Sequence, residues 1–195
     1  MRTLLLFSLL MAMSFRPATD KKNPFYRSKS FNMTIKGTST YHDWTSSVNN
    51  VSVQGDFVFA NGTLENINHA TVLVLTKSIT SEQQSTLMDS RTHDALKVDK
   101  YPSITFEYSK VKSLIKESNH SRLEINGILT IAGTPRNTDL TMNISTNEKG
   151  EVLISGEKTI KMSDYGIQAP VFMLGLLRVG DEVTVSYDVV LDPKK

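Results

Sequence analysis

The chain has 195 residues, a formal net charge of +2 and no cysteine. A chain of this length is typical of one domain, and it can bury enough apolar surface to fold without disulfides or a metal. The missing cysteine excludes a disulfide framework, cysteine-ligated zinc and a thiol nucleophile. The small net charge, without any basic stripe, argues against nucleic acid as a partner.

The first residues have the pattern of a secretory signal peptide. Arg2 precedes a short apolar block at residues 4–13, and residues 12–14 (Ala-Met-Ser) offer small side chains for cleavage. The block is shorter than the roughly 20 residues of a membrane-spanning helix, although an uncleaved anchor is the alternative. We therefore expect export, to the periplasm or as a secreted protein. The predicted boundaries are a signal peptide over 1–18, a polar lead-in over 19–30 and a barrel domain over 31–192.

Most of the remaining chain alternates apolar and polar residues with the period of two that half-buried strands show. The pattern begins at residues 31–37 and returns at 51–59, where Asn61-Gly62 predicts a hairpin turn into a strand that ends near Thr76. Residues 71–75 (Thr-Val-Leu-Val-Leu) are apolar on both faces, so alternation does not choose an inner face for them.

One helix is predicted between the strands. Ser81 and Gln84 have the spacing of a capping box, and Tyr101-Pro102 ends the helix because the residue before proline disfavours the α conformation. About eight strands with tight turns predict an all-β sandwich or barrel. The later alternating segments are residues 104–108, 123–131, 140–144, 152–162 and 183–191.

Residues 167–179 are too apolar for an ordinary surface connection. Two interpretations stay open for them. They could cap one end of a barrel and complete its core, or form a mobile apolar rim through which a lipid enters, since exposed apolar patches mark ligand or partner sites.

The polar residues that could carry chemistry have ordinary structural explanations. Residues 42–44 fit a turn in which Asp43 accepts backbone hydrogen bonds and Trp44 packs over a barrel end; alternatively, His42 and Trp44 lie at a pocket mouth. Asp89 and His93 are four residues apart, as on one face of a helix, and together with His42 and Asp43 they are the candidates for a weak hydrolase or metal site. No motif for a nucleophile or a metal occurs, so we predict no enzyme, no catalytic residue, no metal and no cofactor.

Several segments, in order along the chain, resemble those of the YceI-like family of exported proteins. The most specific is residues 101–106, Tyr-Pro-Ser-Ile-Thr-Phe; the others are 37–44, 55–57, 127–136 and 162–166. The resemblance covers about residues 31–191. It implies an eight-stranded antiparallel, lipocalin-like β-barrel with one inserted α-helix, which holds a polyisoprenoid, such as an isoprenoid quinone, in its lumen.

The width of an eight-stranded barrel is consistent with a bound polyisoprenoid, because such a barrel encloses either packed side chains or one slender ligand. The expected partner is an isoprenoid-type lipid, with transient membrane contact and homodimerisation left open. The alternative is a non-enzymatic structural or interaction module with a filled barrel and an apolar docking loop. The residues predicted to line the pocket are Trp44, Phe57, Phe59, Leu73, Phe106, Leu129, Phe172, Leu176 and Val185, with His42 at the mouth.

Overall fold

The computed structural model describes residues 25–117, 120–172 and 177–194. The predicted signal peptide lies outside these residues. Short 3-10 turns lie at Thr76–Ser78 and Met162–Tyr165. The elements in chain order are β1 (Phe25–Ser39), β2 (Trp44–Val48), β3 (Val51–Ala60), β4 (Thr63–Leu75), β5 (Ile79–Ser81), α1 (Thr86–Leu96), β6 (Ser103–Lys116), β7 (Ser121–Ile131), β8 (Thr134–Thr146), β9 (Val152–Lys161), β10 (Val171–Phe172) and β11 (Leu177–Lys194).

Eight antiparallel strands close into a barrel, in the order β1, β3, β4, β6, β7, β8, β9 and β11. Closure comes from β11, which pairs with β1 from Phe25↔Lys194 to Ser39↔Val179, so each of the eight strands is paired on both sides over part of its length. Of the short strands, β2 pairs with the second half of β1, β5 with β2, and β10 with β11. The predicted eight-stranded barrel with one inserted helix is confirmed.

The first barrel strand begins at Phe25, earlier than the predicted start at residue 31. Tyr26 is only 6% exposed and belongs to the core, whereas Arg27 and Lys29 point outward and are exposed. These charged outward residues gave the segment its polar appearance. The predicted boundary between lead-in and barrel therefore lies inside β1.

The two ends of the barrel differ. One end carries the β3–β4, β6–β7 and β8–β9 turns and the last residues of β11, and its core side chains are almost completely inaccessible. The opposite end carries the turn at residues 40–43, helix α1, the β7–β8 turn and residues 162–172. The side chains that plug the first end are Leu64, Leu123, Ile144, Val152 and Leu191, each at most 2% exposed.

Helix α1 begins later than the capping-box spacing predicts. Its N-cap is Ser85, whose hydroxyl accepts a hydrogen bond from the Met88 amide at 3.3 Å. The predicted box at Ser81 and Gln84 is wrong, because Ser81 belongs to β5 and its hydroxyl accepts from the Ser85 amide at 2.9 Å. Within the described ranges, no helix has the length and apolar character needed to cross a membrane.

Glu151 fastens the turn between β8 and β9 to β1 at the plugged end. Its carboxylate forms an ion pair with Lys29 and accepts a hydrogen bond from the side-chain Nδ2 of Asn147 at 2.7 Å. The hydrogen bond from Lys29, followed by that from Asn147, holds the pKa of Glu151 below its usual value of 4.5.

The depressed pKa predicts an acid-sensitive contribution to stability. Wild-type protein should lose this contribution as the pH falls from 4.5 through the lower folded-state pKa, because the unfolded chain binds the proton more tightly. Glu151→Gln lacks the titrating group, so urea unfolding at a series of pH values should show the two proteins converging in this window. Glu148→Gln, an exposed carboxylate in the same turn, is the control. A stability difference that does not change with pH would contradict the assignment.

Candidate functional site

The inward side chains of the barrel surround a cavity of about 460 Å³. This volume falls within the roughly 300–1,000 Å³ of small-molecule sites. The cavity starts above the plugged end and opens at the end that carries α1. Its deep part is lined by Ile144, Ile154 and Val189, and its mouth by Tyr41, His42, Arg91 and Pro170.

Between these limits the wall is largely apolar. Water inside such a space finds few hydrogen-bonding partners, so an apolar occupant is favoured over solvent. The apolar residues of the middle wall include Met33, Ile35, Val53, Ile67, Val72, Ile125, Leu140 and Met142.

Four aromatic rings that line the cavity lie directly against glycines of the wall. At each glycine, a Cβ atom would overlap the ring; the hydroxyl oxygen of Tyr187, for example, would be only 2.7 Å from a Cβ on Gly156. A ring that rests on a glycine lies closer to the wall than a ring above a side chain, so it leaves more of the lumen open. The four pairs are Trp44 on Gly37, Phe57 on Gly55, Phe106 on Gly127 and Tyr187 on Gly156.

The mouth is shaped by the turn at residues 40–43. The Ser39 hydroxyl accepts hydrogen bonds from the Tyr41 and His42 amides, at 3.2 Å each, and donates to the His42 carbonyl oxygen at 2.7 Å. Ser39 thus has the role that was predicted for Asp43. The Trp44 indole nitrogen donates to the Thr38 carbonyl oxygen at 3.2 Å, which fixes the ring at the entrance.

The structure places several predicted pocket residues at the cavity wall, although contact of any of them with a ligand stays a prediction. The side chain of Phe172 and the whole of Leu176 lie outside the described part of the chain. The predicted residues that line the cavity are Trp44, Phe57, Phe106, Leu129 and Val185, with His42 at the mouth.

Two predicted pocket residues lie elsewhere. Leu73 is on the outer face and 39% exposed, so its inward prediction is wrong; Val72 and Val74 face the cavity instead. Phe59 is near the end of β3 and does not line the cavity, because it packs against the core instead. Its ring packs edge-on against Tyr26, with centroids 6.0 Å apart, towards the plugged end.

The apolar segment at 167–179 contributes to both the core and the mouth. Ile167 is 6% exposed and packs with Ile131 and Tyr165, as expected of a segment that completes the core. Pro170 and Val179 line the cavity. Entry of a lipid past this segment stays a prediction.

Tyr187 and Lys158 are two of the lumen-lining polar residues that were missed; Ser46 and Thr105 also line the cavity. Tyr187 lies on the inward face of β11, and its hydroxyl is buried without a hydrogen-bond partner among the described residues. Burial raises the pKa of Tyr187 to about 12, so it is a neutral donor at ordinary pH. Lys158 on β9 also lines the cavity; it shares the strand face of Ile154 and Ile160, which was a usable signal.

The acidic and histidine residues of α1 hold the helix in place. An Asp89 oxygen accepts a hydrogen bond from the Ser81 amide at 2.6 Å, and the His93 Nε2 donates to the Ile79 carbonyl oxygen at 3.0 Å. Both contacts fix α1 to β5. Across residues 25–117, 120–172 and 177–194, no group of three or more His, Asp or Glu side chains is placed to hold a metal ion.

The strand order and the hollow interior define an up-and-down β-barrel with an apolar lumen that opens at one end. A family model for the YceI-like domain matches residues 22–191, and the chain belongs to this family. No match to a curated protein was found.

Solved structures share the fold. Burkholderia cenocepacia BcnA is similar with a TM-score of 0.65 at 16% identity, over 82% of this chain and 95% of that chain. A polyisoprenoid binding domain from Saccharophagus degradans is similar with a TM-score of 0.65 at 12% identity, over 89% of this chain and all of that chain. The Campylobacter jejuni YCEI protein gives a TM-score of 0.58 at 21% identity, over 77% and 84% of the two chains.

The ring-on-glycine arrangement predicts a compensating pair of substitutions. Gly127→Ala should destabilise the protein by about 1–3 kcal/mol, because the added methyl group overlaps both the Phe106 ring and the Glu107 carbonyl oxygen. Phe106→Leu in the same chain should recover part of that loss, so the double variant should be more stable than the sum of the single changes implies. Urea unfolding of all four proteins measures the coupling. Additive effects would show that the ring does not depend on the glycine.

Proposed function

We propose that the protein binds one long, largely apolar lipid of the polyisoprenoid or isoprenoid-quinone type inside its barrel, as an exported carrier or storage protein. The observation that supports this most directly is the apolar cavity of about 460 Å³, plugged at one end and open at the other. A filled barrel, the alternative, would leave no such space.

The wall chemistry suits a ligand held mainly by burial. Each CH₂ group transferred from water contributes about 0.8 kcal/mol, so a long chain gains affinity along its whole length without specific polar contacts. The open mouth, with Tyr41 and His42 on one side and Pro170 on another, would admit a slender molecule end-on.

The comparisons add support at the level of the fold. One similar structure is described as a polyisoprenoid binding domain, but at 12% identity the likeness concerns the fold, so the ligand class rests on the cavity. The apolar block at residues 4–13 is the basis for proposing export. Tyr41, 79% exposed beside the mouth, would be the first side chain to meet a membrane from which a lipid is taken.

The proposal includes no reaction. The side chains of Asp89 and His93, the two α1 residues considered for a hydrolase or metal site, form hydrogen bonds with the backbone of β5. The part of the cavity wall that α1 contributes is formed by Met88, Arg91, Thr92, Ala95 and Leu96.

A substitution that fills the lumen tests the proposal. Leu129→Trp adds a large side chain to the inner wall, whereas Ile128→Trp adds the same group to the neighbouring outer position, which is 37% exposed. Wild-type protein and Ile128→Trp, purified without delipidation, should yield about one lipid per chain on solvent extraction and mass spectrometry. Leu129→Trp should yield little, while its circular dichroism stays that of the wild type.

Trp44 supplies an independent readout, since it is the chain's single tryptophan and it lines the mouth. Adding an isoprenoid quinone to delipidated wild-type protein should quench its emission in a saturable way. Protein that yields no lipid and shows no saturable quenching would contradict the proposed function.

A further inference from the structure

We propose that Tyr187 and Lys158 form a polar site on the lumen wall that binds an oxygen acceptor of the lipid, a carbonyl or carboxylate oxygen. This inference rests on the proposed function and extends it, because it distinguishes oxygen-bearing lipids from pure hydrocarbons.

The Tyr187 hydroxyl is the first half of the site. The residue lies between Val185 and Val189 on the inner face of β11, and its hydroxyl rests over Gly156 of the neighbouring strand. The oxygen is buried and has no hydrogen-bond partner among the described residues. An unpaired buried hydroxyl is destabilising, and a phenylalanine would fill the same space without that penalty.

Lys158 is the second half. It is partly buried, lines the cavity and lies two residues beyond Gly156 on the same face of β9. At about 3.3 Å per residue, the two positions are roughly 6–7 Å apart, which a lysine side chain can span. The site therefore draws a hydroxyl and an ammonium group from neighbouring positions of β11 and β9.

None of the ion pairs that the described residues form involves Lys158. The Asp139 carboxylate on β8 is close enough to be affected by the charge of Lys158, but its oxygens accept hydrogen bonds from Lys112 and Asn126. The β8–β9 ladder also ends at Met142↔Gly156, so Lys158 has no cross-strand residue on β8.

Both groups are donors, and the cavity-lining side chains next to them along β9 and β11, namely Ile154, Ile160, Val183, Val185 and Val189, are apolar. Met33 and Met142 lie at the level of Tyr187, through the pairings Met33↔Tyr187 and Met142↔Gly156. Below this level the cavity continues to Val189, and above it to Val183. A lipid whose oxygen reaches this level would satisfy both donors, whereas a hydrocarbon would leave them unpaired; sites of this kind discriminate strongly.

The test compares lipids on matched variants of the full-length protein. The lipids are an isoprenoid quinone, a long-chain fatty acid and squalene, which is a polyprene without oxygen. The variants are Tyr187→Phe and Lys158→Met. Their controls are Tyr108→Phe, at a partly buried tyrosine outside the cavity lining, and Lys36→Met, at an exposed position on β1. Affinity is measured by competition from detergent micelles with mass spectrometric quantification.

We expect Tyr187→Phe to weaken binding of at least one oxygen-bearing lipid by roughly 3–10-fold, and Lys158→Met by roughly 10-fold or more. Squalene affinity should change less than about twofold, and both controls should resemble the wild type. Delipidated Tyr187→Phe should also unfold at the same or a higher temperature, because it lacks the unpaired hydroxyl. If the variants weaken quinone binding, the bound acceptor is a quinone carbonyl oxygen. If they weaken fatty-acid binding, it is a carboxylate oxygen.

Failure of the polar site and failure of the proposed function give different results. If all three lipids bind but neither variant changes their relative affinities, the polar site is overturned and the lipid-binding barrel stands; an internal water on Tyr187 would give this result. If none of the three lipids binds to wild-type protein, the proposed function itself fails.

Discussion

Contact between an aromatic ring and a glycine is the feature on which the hollow barrel depends. A barrel of eight strands is narrow enough for its own side chains to fill, and large rings would do so most readily. Here Trp44, Phe57, Phe106 and Tyr187 each lie against a glycine where a Cβ would overlap the ring. The rings therefore cover backbone instead of crossing the lumen, and the space between them is left to a guest.

One end of the barrel is tightly packed, and the opposite end is open. The plugged end contains the least accessible side chains of the core, such as Leu123 and Val152, and the Lys29–Glu151 ion pair that holds its turn to β1. The open end relies on hydrogen bonds between α1 and β5 and on a small apolar cluster around Tyr165. Regions with fewer buried contacts open at lower free energy, so ligand exchange is expected at the open end, away from the packed end.

The strands were predictable from the alternation of apolar and polar residues, and the Asn61-Gly62 turn was recognisable from its residue types, but alternation left both a sandwich and a barrel open. The choice of a closed barrel came from the resemblance to the YceI-like family. The finer predictions failed where one local pattern had two solutions. Residues 71–75 are apolar on both faces, so Leu73 was placed inward although it faces solvent. Two serines four residues apart could each begin the helix, and the backbone at Ser81 was already used by β5. Lys158 and Tyr187 were missed because neither belongs to a catalytic or metal-binding motif. The two residues become neighbours only through the β9–β11 register.

The most direct test of this account is a crystal structure of the protein purified from its native cells without delipidation. Continuous, elongated density is expected along the barrel axis, from the level of Val189 to the mouth at His42, with the four rings still resting on their glycines. A lumen in which Trp44 and Phe106 have turned inward to fill the space, with no density between them, would contradict it.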